Sequence, residues 1–225
     1  MLRSLLFSGD FKNTLIILLL ELPIILFSLS AHECAHGFVA YKCGDSTAKA
    51  FGRLTLNPFK HLDLFGTLCM FLVGFGWAKP VPINMRYFKN PKRDLLLVSL
   101  AGPVSNFLIA IVFALLRAGI FGLAMLMKVS PFSKVLFILT LATELGIMLN
   151  LGLGLFNLIP IPPLDGSKVL MCALPNNAAA KYAQIERYSS YIIMIIVLVS
   201  YVFPQIFFPL DWLVKSLFSL LTLWP

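Results

Sequence analysis

The sequence predicts an all-α polytopic membrane protein, a bundle of about four to six transmembrane helices with a re-entrant loop or hairpin segment. Three observations lead to it. The chain is 59% hydrophobic and only 12% charged, with a mean hydropathy of +0.90, a composition that leaves too little polar surface for a water-solvated domain of 225 residues. Several apolar windows approach the roughly 20 residues that span a bilayer core. The basic residues gather between those windows, as they do in loops on the cytoplasmic side of a membrane.

The first helix is expected over about residues 13–41. Its N-terminal flank shows no short apolar core followed by a small-residue cleavage site, so it reads as retained rather than as a removed signal peptide. Segment 62–77, "LDLFGTLCMFLVGFGW", is apolar but short and broken by Gly66, Gly74 and Gly76. Lys42, Lys49, Arg53 and Lys60 precede it, and Lys79, Arg86, Lys89, Lys92 and Arg93 follow. A crossing there would put strongly basic loops on both sides, so the positive-inside rule prefers a re-entrant or interfacial segment. Further spans are expected at 95–116 and at 135–159, where "FNLIPIPPLDG" closes the second of these, and then at about 188–203 and 205–224. On this topology the C-terminal half of the first helix and the LDG turn after the 135–159 span lie on one, cytoplasmic, face.

The net charge of +8 fits basic cytoplasmic loops better than nucleic acid, for no RNA- or DNA-binding motif accompanies it. Cys34, Cys43, Cys69 and Cys172 form no CxxC pair and suggest neither a disulfide framework nor a cysteine-rich metal site.

Chemistry concentrates in "HECAH", 32–36. On a helix His32 and His36 lie one turn and about 40° apart, so both imidazoles reach one metal ion. Glu33, about 100° round from His32, can serve as general base toward a water held by that metal. With three His in the chain, HExxH arises by chance on the order of once per thousand such sequences. Ionisable residues at membrane depth are functional by default. Cys34 faces away, and His61 reads as a solvated or hydrogen-bonded imidazole. For the third ligand Asp165 is best placed, in "PIPPLDG" where prolines stop the helix and Gly166 permits a turn; Glu144 ranks second. Small residues in "AGPVSN" (101–106), with Gly146, Gly152 and Gly154, allow close helix packing. Asn106 and Asn157 are candidates for holding a substrate backbone or an oxyanion.

"HECAH", "AGPVSN" and "FNLIPIPPLDG", with "GRLTLNPFKHLDLFGT" (52–67) and "GWAKPVPIN" (76–84), resemble the site-2 protease family of intramembrane zinc metalloproteases, in its short prokaryotic form. The resemblance covers about residues 31–168. It implies one Zn2+ on His32, His36 and Asp165, Glu33 as base, cleavage of a transmembrane substrate in the lipid bilayer, and a re-entrant hairpin at 76–84. It further implies a multi-pass protein of the prokaryotic cell membrane with its site toward the cytoplasm. The expected organisation is one membrane-embedded domain, 1–225, with a catalytic core at about 13–168 and C-terminal helices at about 188–224. No PDZ or nucleotide-sensing segment is recognisable. An extended substrate strand is expected to pair with the edge of the re-entrant segment. The alternative function is a membrane metal or ion transporter that uses the same ligands in transit; a scaffold with a structural zinc would need a fourth ligand.

Overall fold

The computed structural model describes residues 11–66, 69, 76–130, 133–202, 205 and 208–222. Its elements are helices α1 (Phe11–Lys42), α2 (Thr47–Ala50), α3 (Pro91–Leu126), α4 (Lys134–Asn157), α5 (Asp165–Ala173), α6 (Asn176–Ala183), α7 (Ser189–Val202) and α8 (Phe208–Leu221), with short 3-10 turns between some of them.

Among the described residues three helices, α1, α3 and α4, are long and apolar enough to cross a membrane. α1 has 32 residues and α3 has 36, so each is about 48–54 Å long and exceeds a core of about 30 Å. Many large apolar side chains on α3 and α4 face outward, among them Leu108, Leu115 and Phe137, as lipid solvation requires. α7 and α8 have 14 described residues each, within the spans expected at 188–203 and 205–224, of which residues 203, 206, 207, 223 and 224 lie outside the described residues.

α3 is the central helix, packed along α4 and α1 and against α5. Ala110 and Ala114 of α3, Ile147 and Leu151 of α4 and Val214 of α8 form one buried cluster. Two glycines set the α3–α4 distance: a Cβ on Gly146 would sit 2.5 Å from the Phe113 ring, and one on Gly154 would sit 2.9 Å from Phe107. Gly152, expected to act alike, does not: a Cβ there would meet nothing within 4 Å among the described residues.

Half of segment 62–77, residues 67, 68 and 70–75, lies outside the described residues, but its ends are defined. Leu62 and Ala78 form an antiparallel bridge, and Lys79 N–H donates to the His61 carbonyl at 2.7 Å. The arm that follows, residues 78–84, runs extended along α1. Asp45, buried just beyond the C-terminus of α1, fixes the arm's far end: its carboxylate accepts from the Asn84 N–H at 2.6 Å, from the Thr47 N–H at 2.9 Å and from the Thr47 hydroxyl.

Burial opposes ionisation of Asp45, yet the hydrogen bonds from Asn84 and Thr47 hold its carboxyl below the usual range. A carboxyl depressed in the folded state contributes stability above its unfolded value of about 3.9, and that stability is lost as pH falls through the folded value. Asp45→Asn is therefore expected to destabilise the protein by about 2 kcal/mol near neutral pH. The gap to wild type should narrow below about pH 4. Thermal unfolding in detergent across that range checks both; a gap that does not change with pH would contradict the assignment.

Candidate metal centre

The site is built by three elements. α1 supplies His32 and His36 one turn apart, with ring centroids separated by 4.7 Å and planes at 83°. The chain leaves α4 at Asn157, turns through Pro160, Pro162 and Pro163, and starts α5 at Asp165. Prolines at those positions cannot extend α4, which frees the backbone to reverse toward α1. Gly166 is needed for close approach rather than for a positive φ: a Cβ there would overlap the Leu158 carbonyl, so the turn folds onto the first turn of α5 only with glycine present. α3 closes the third side.

His32 Nε2 lies 3.1 Å and His36 Nε2 3.2 Å from Asp165 Oδ2, and the two Nε2 atoms are 3.0 Å apart. His32, His36 and Asp165 are each only 6–7% exposed. The opposite ring nitrogens are committed. His36 Nδ1 is 2.7 Å from the Val98 carbonyl, which can only accept, so Nδ1 carries the proton. His32 Nδ1 is 2.6 Å from Asn106 Oδ1, whose own Nδ2 donates to Asn150 Oδ1 at 3.1 Å, while Asn150 Nδ2 donates to the Gly146 carbonyl at 2.8 Å. That donor chain assigns Asn106 Oδ1 as acceptor and His32 Nδ1 as donor.

In these neutral tautomers both Nε2 atoms present lone pairs to each other and to a carboxylate oxygen. Three acceptors at such distances repel one another unless a cation lies between them. The separations also approach the edge of about 3.3 Å expected for a tetrahedron with metal–ligand bonds of 2.0–2.1 Å. The donor set therefore fits a divalent metal, and among the described residues His32, His36 and Asp165 are the one group placed to hold it.

The remaining candidates separate. Glu33 Oε2 accepts the Val81 N–H at 2.8 Å, so the carboxylate turns toward the arm. Glu144 is half-exposed and lies 3.8 Å from Arg117, away from the imidazoles. His61 is fully buried, not solvated, with Nε2 2.8 Å from the Thr55 carbonyl. Asn106 is at the site as the partner of His32. Asn157 Nδ2 bonds the Leu153 carbonyl of its own helix at 3.0 Å. Sequence reasoning missed Asn150, whose one signal was a lone amide in an apolar span, and the Val98 carbonyl, which leaves no signal in side chains.

Gly102 forms the wall behind the imidazoles. A Cβ there would lie 2.5 Å from His32 Nε2 and from His36 Nε2. Gly102→Ala is expected to weaken metal binding about 10–100-fold, as displaced ligand geometry does. Gly119→Ala, on the same helix with nothing within 4 Å, should leave binding unchanged. Competition with a fluorescent chelator measures both, and equal affinity in the two variants would contradict the geometry.

Comparison with known proteins bears on this centre. The profile described as Peptidase family M50 matches residues 21–143 and 118–200, which include all three ligand candidates. The chain belongs to peptidase family M50. The resemblance read from the three motifs agrees with it. The chain is 45% identical over 174 residues to the "Putative zinc metalloprotease YwhC" of Bacillus subtilis (strain 168), covering 76% of this chain and 77% of that protein. It is 28% identical over 190 residues to the "Putative zinc metalloprotease Rip2" of Mycolicibacterium smegmatis, covering 82% and 68% respectively. The Rip2 protein of Mycobacterium tuberculosis (strain ATCC 25618 / H37Rv) is 30% identical over 151 residues, 64% of this chain and 53% of that one. No solved structure matches the chain. M50 membership and three long apolar helices together describe a multi-pass membrane protein.

Proposed function

We propose that this M50 protein is an intramembrane zinc metalloprotease that hydrolyses peptide bonds within or near transmembrane segments of membrane-protein substrates. The observation that carries the reading is the convergence of His32 Nε2, His36 Nε2 and Asp165 Oδ2 within 3.2 Å of one another on apolar helices. Relatives named as zinc metalloproteases favour zinc among the divalent ions such a set accepts. Three protein ligands leave a coordination position open, which suits hydrolysis rather than a structural site.

Zinc, when bound, supplies Lewis-acid chemistry: it polarises the scissile carbonyl and lowers the pKa of a coordinated water toward about 7. Glu33 takes a proton from the attacking water and returns it to the leaving amine. Its hydrogen bond to Val81 engages Oε2 and leaves Oε1 for that transfer. Asn106 orients His32, with Asn150 behind it. We assign substrate-backbone or oxyanion contact to Asn157 and to the remaining N–H of Asn106.

The paired ends of segment 62–78 support a chain that enters and leaves the membrane on one face, and the basic residues on either side support a cytoplasmic face for the site. The whole of 1–225 then forms one membrane-embedded unit with its core at about 13–168. Substrate pairing is constrained by the arm. Lys79 N–H is taken by His61, Val81 N–H by Glu33, and Pro80 and Pro82 have none. Residues 79–82 have no N–H left for an added strand, and the Lys79 and Pro80 carbonyls already accept from Arg53, so the edge expected there offers a substrate at most the carbonyls of Val81 and Pro82.

The test is reconstitution with a membrane-spanning peptide in proteoliposomes. Cleavage should stop on removal of metal with a chelator and return on stoichiometric zinc. Zinc flux without cleavage would overturn the protease reading in favour of transport.

A further inference from the structure

Arg53 is a buried guanidinium, 7% exposed, in the loop after α2. Its Nη2 donates to the Lys79 carbonyl at 2.5 Å and to the Pro80 carbonyl at 3.2 Å. The Pro80 carbonyl and the Val81 N–H belong to one peptide unit, and that unit is trans, since the cis peptide among the described residues is at Pro162–Pro163. A trans unit points its oxygen and its hydrogen in opposite directions. Arg53 therefore grips the oxygen side of the same peptide whose hydrogen side holds Glu33 Oε2 at 2.8 Å. We propose that Arg53 is a positioning residue that fixes the carboxylate of Glu33 through the peptide joining Pro80 to Val81.

Four further features make the unit stiff. Pro80 and Pro82 fix the backbone on both sides of Val81 and leave its N–H as the one donor in that tripeptide. Lys79 N–H is tied to His61 and Asn84 N–H to Asp45, so both ends of the arm are anchored. Gly37, one turn beyond Glu33 on α1, admits the arm: a Cβ there would sit 3.2 Å from Val81 Cγ1 and 2.8 Å from Leu54. Finally, a cation on the carbonyl polarises the peptide and strengthens its N–H as a donor to a carboxylate. A glutamate has three rotatable side-chain bonds, and a base misplaced by about 1 Å can cost on the order of 100-fold in rate. A charge kept out of water needs polar partners, and those of Arg53 Nη2 are the two arm carbonyls, while its Nε has no partner among the described residues.

The inference rests on Glu33 acting as the base. Arg53→Ala is expected to lower kcat about 10–100-fold, with zinc content and KM unchanged, and Arg53→Lys, which can still reach a carbonyl, to recover part of the loss. Because Arg53 acts through Glu33, Arg53→Ala should cost much less in a Glu33→Asp background than in wild type. Val81→Pro, which removes the N–H and leaves the guanidinium in place, provides an independent arm if Arg53→Ala fails to fold, and it should give the same fall in kcat. Wild-type kcat in both zinc-loaded variants would overturn the proposal, as would losses from Arg53→Ala and Glu33→Asp that multiply. If Glu33→Gln itself cleaves normally, the base assignment fails first and the inference goes with it; an inactive Glu33→Gln beside a fully active Arg53→Ala defeats the positioning role alone.

Discussion

Glu33→Gln is expected to reduce peptide hydrolysis about 10²–10⁴-fold, the range general-base catalysis supplies, while the protein still binds one zinc. The substitution keeps the length of the side chain and an oxygen that can accept the Val81 N–H, so the arm stays in place. What it removes is the negative charge and the lone pair that take a proton. The ligands are untouched, because His32 and His36 are oriented by Asn106 and by the Val98 carbonyl, not by Glu33. Measured kcat with a membrane-spanning substrate, beside zinc content of the same samples, decides the matter. A variant that cuts as fast as wild type would remove Glu33 from the mechanism. A transport protein would behave differently again, since metal flux has no need of a proton acceptor at that position.

The helix that carries the candidate ligands was legible because its signal is local. Two histidines four apart in an apolar run declare both a helix and a ligand pair, and the observed α1, Phe11–Lys42, extends the expected range by one or two residues at each end. The placement of Asp165 beside the histidines was expected for a different reason: acids are so scarce in this chain that a proline-flanked aspartate at a span's end had few rivals as a candidate ligand. The structure then separates it from Glu144, which turns to Arg117 instead. The supports of the site were not legible. Arg53, Asp45 and Val81 act through backbone carbonyls and amides from distant parts of the chain, and backbone groups carry no residue-type signature. Arg53 and Asp45 looked like ordinary loop charges, and only the fold shows them buried against the arm. Asn150 likewise acquires meaning only opposite Asn106 of another helix. α1, α3 and α4 are long helices where spans were expected, and the two C-terminal segments hold helices of 14 described residues each.

Asp165→Asn is expected to weaken zinc binding by more than about 100-fold, beyond what the loss of an outer-shell partner costs. His32 and His36 are neutral ligands in the tautomers their partners enforce, so Asp165 contributes the one negative charge of the set. An amide oxygen in its place is a weaker donor and leaves a divalent cation uncompensated in a buried pocket, where that cost is high. Asp165 and His32 lie 133 residues apart in sequence, so a metal ion held between them would link α5 to α1. In wild type, zinc at 100 times its dissociation constant would add about 2.7 kcal/mol to the folded state. The variant should show almost none of this at the same zinc concentration. Thermal unfolding of the detergent-solubilised protein with and without zinc reads the stabilisation, and chelator competition reads the affinity directly. Zinc bound to Asp165→Asn as tightly as to wild type would mean that the third ligand lies elsewhere, and the hydrolytic site built on α1, α3 and α5 would have to be abandoned.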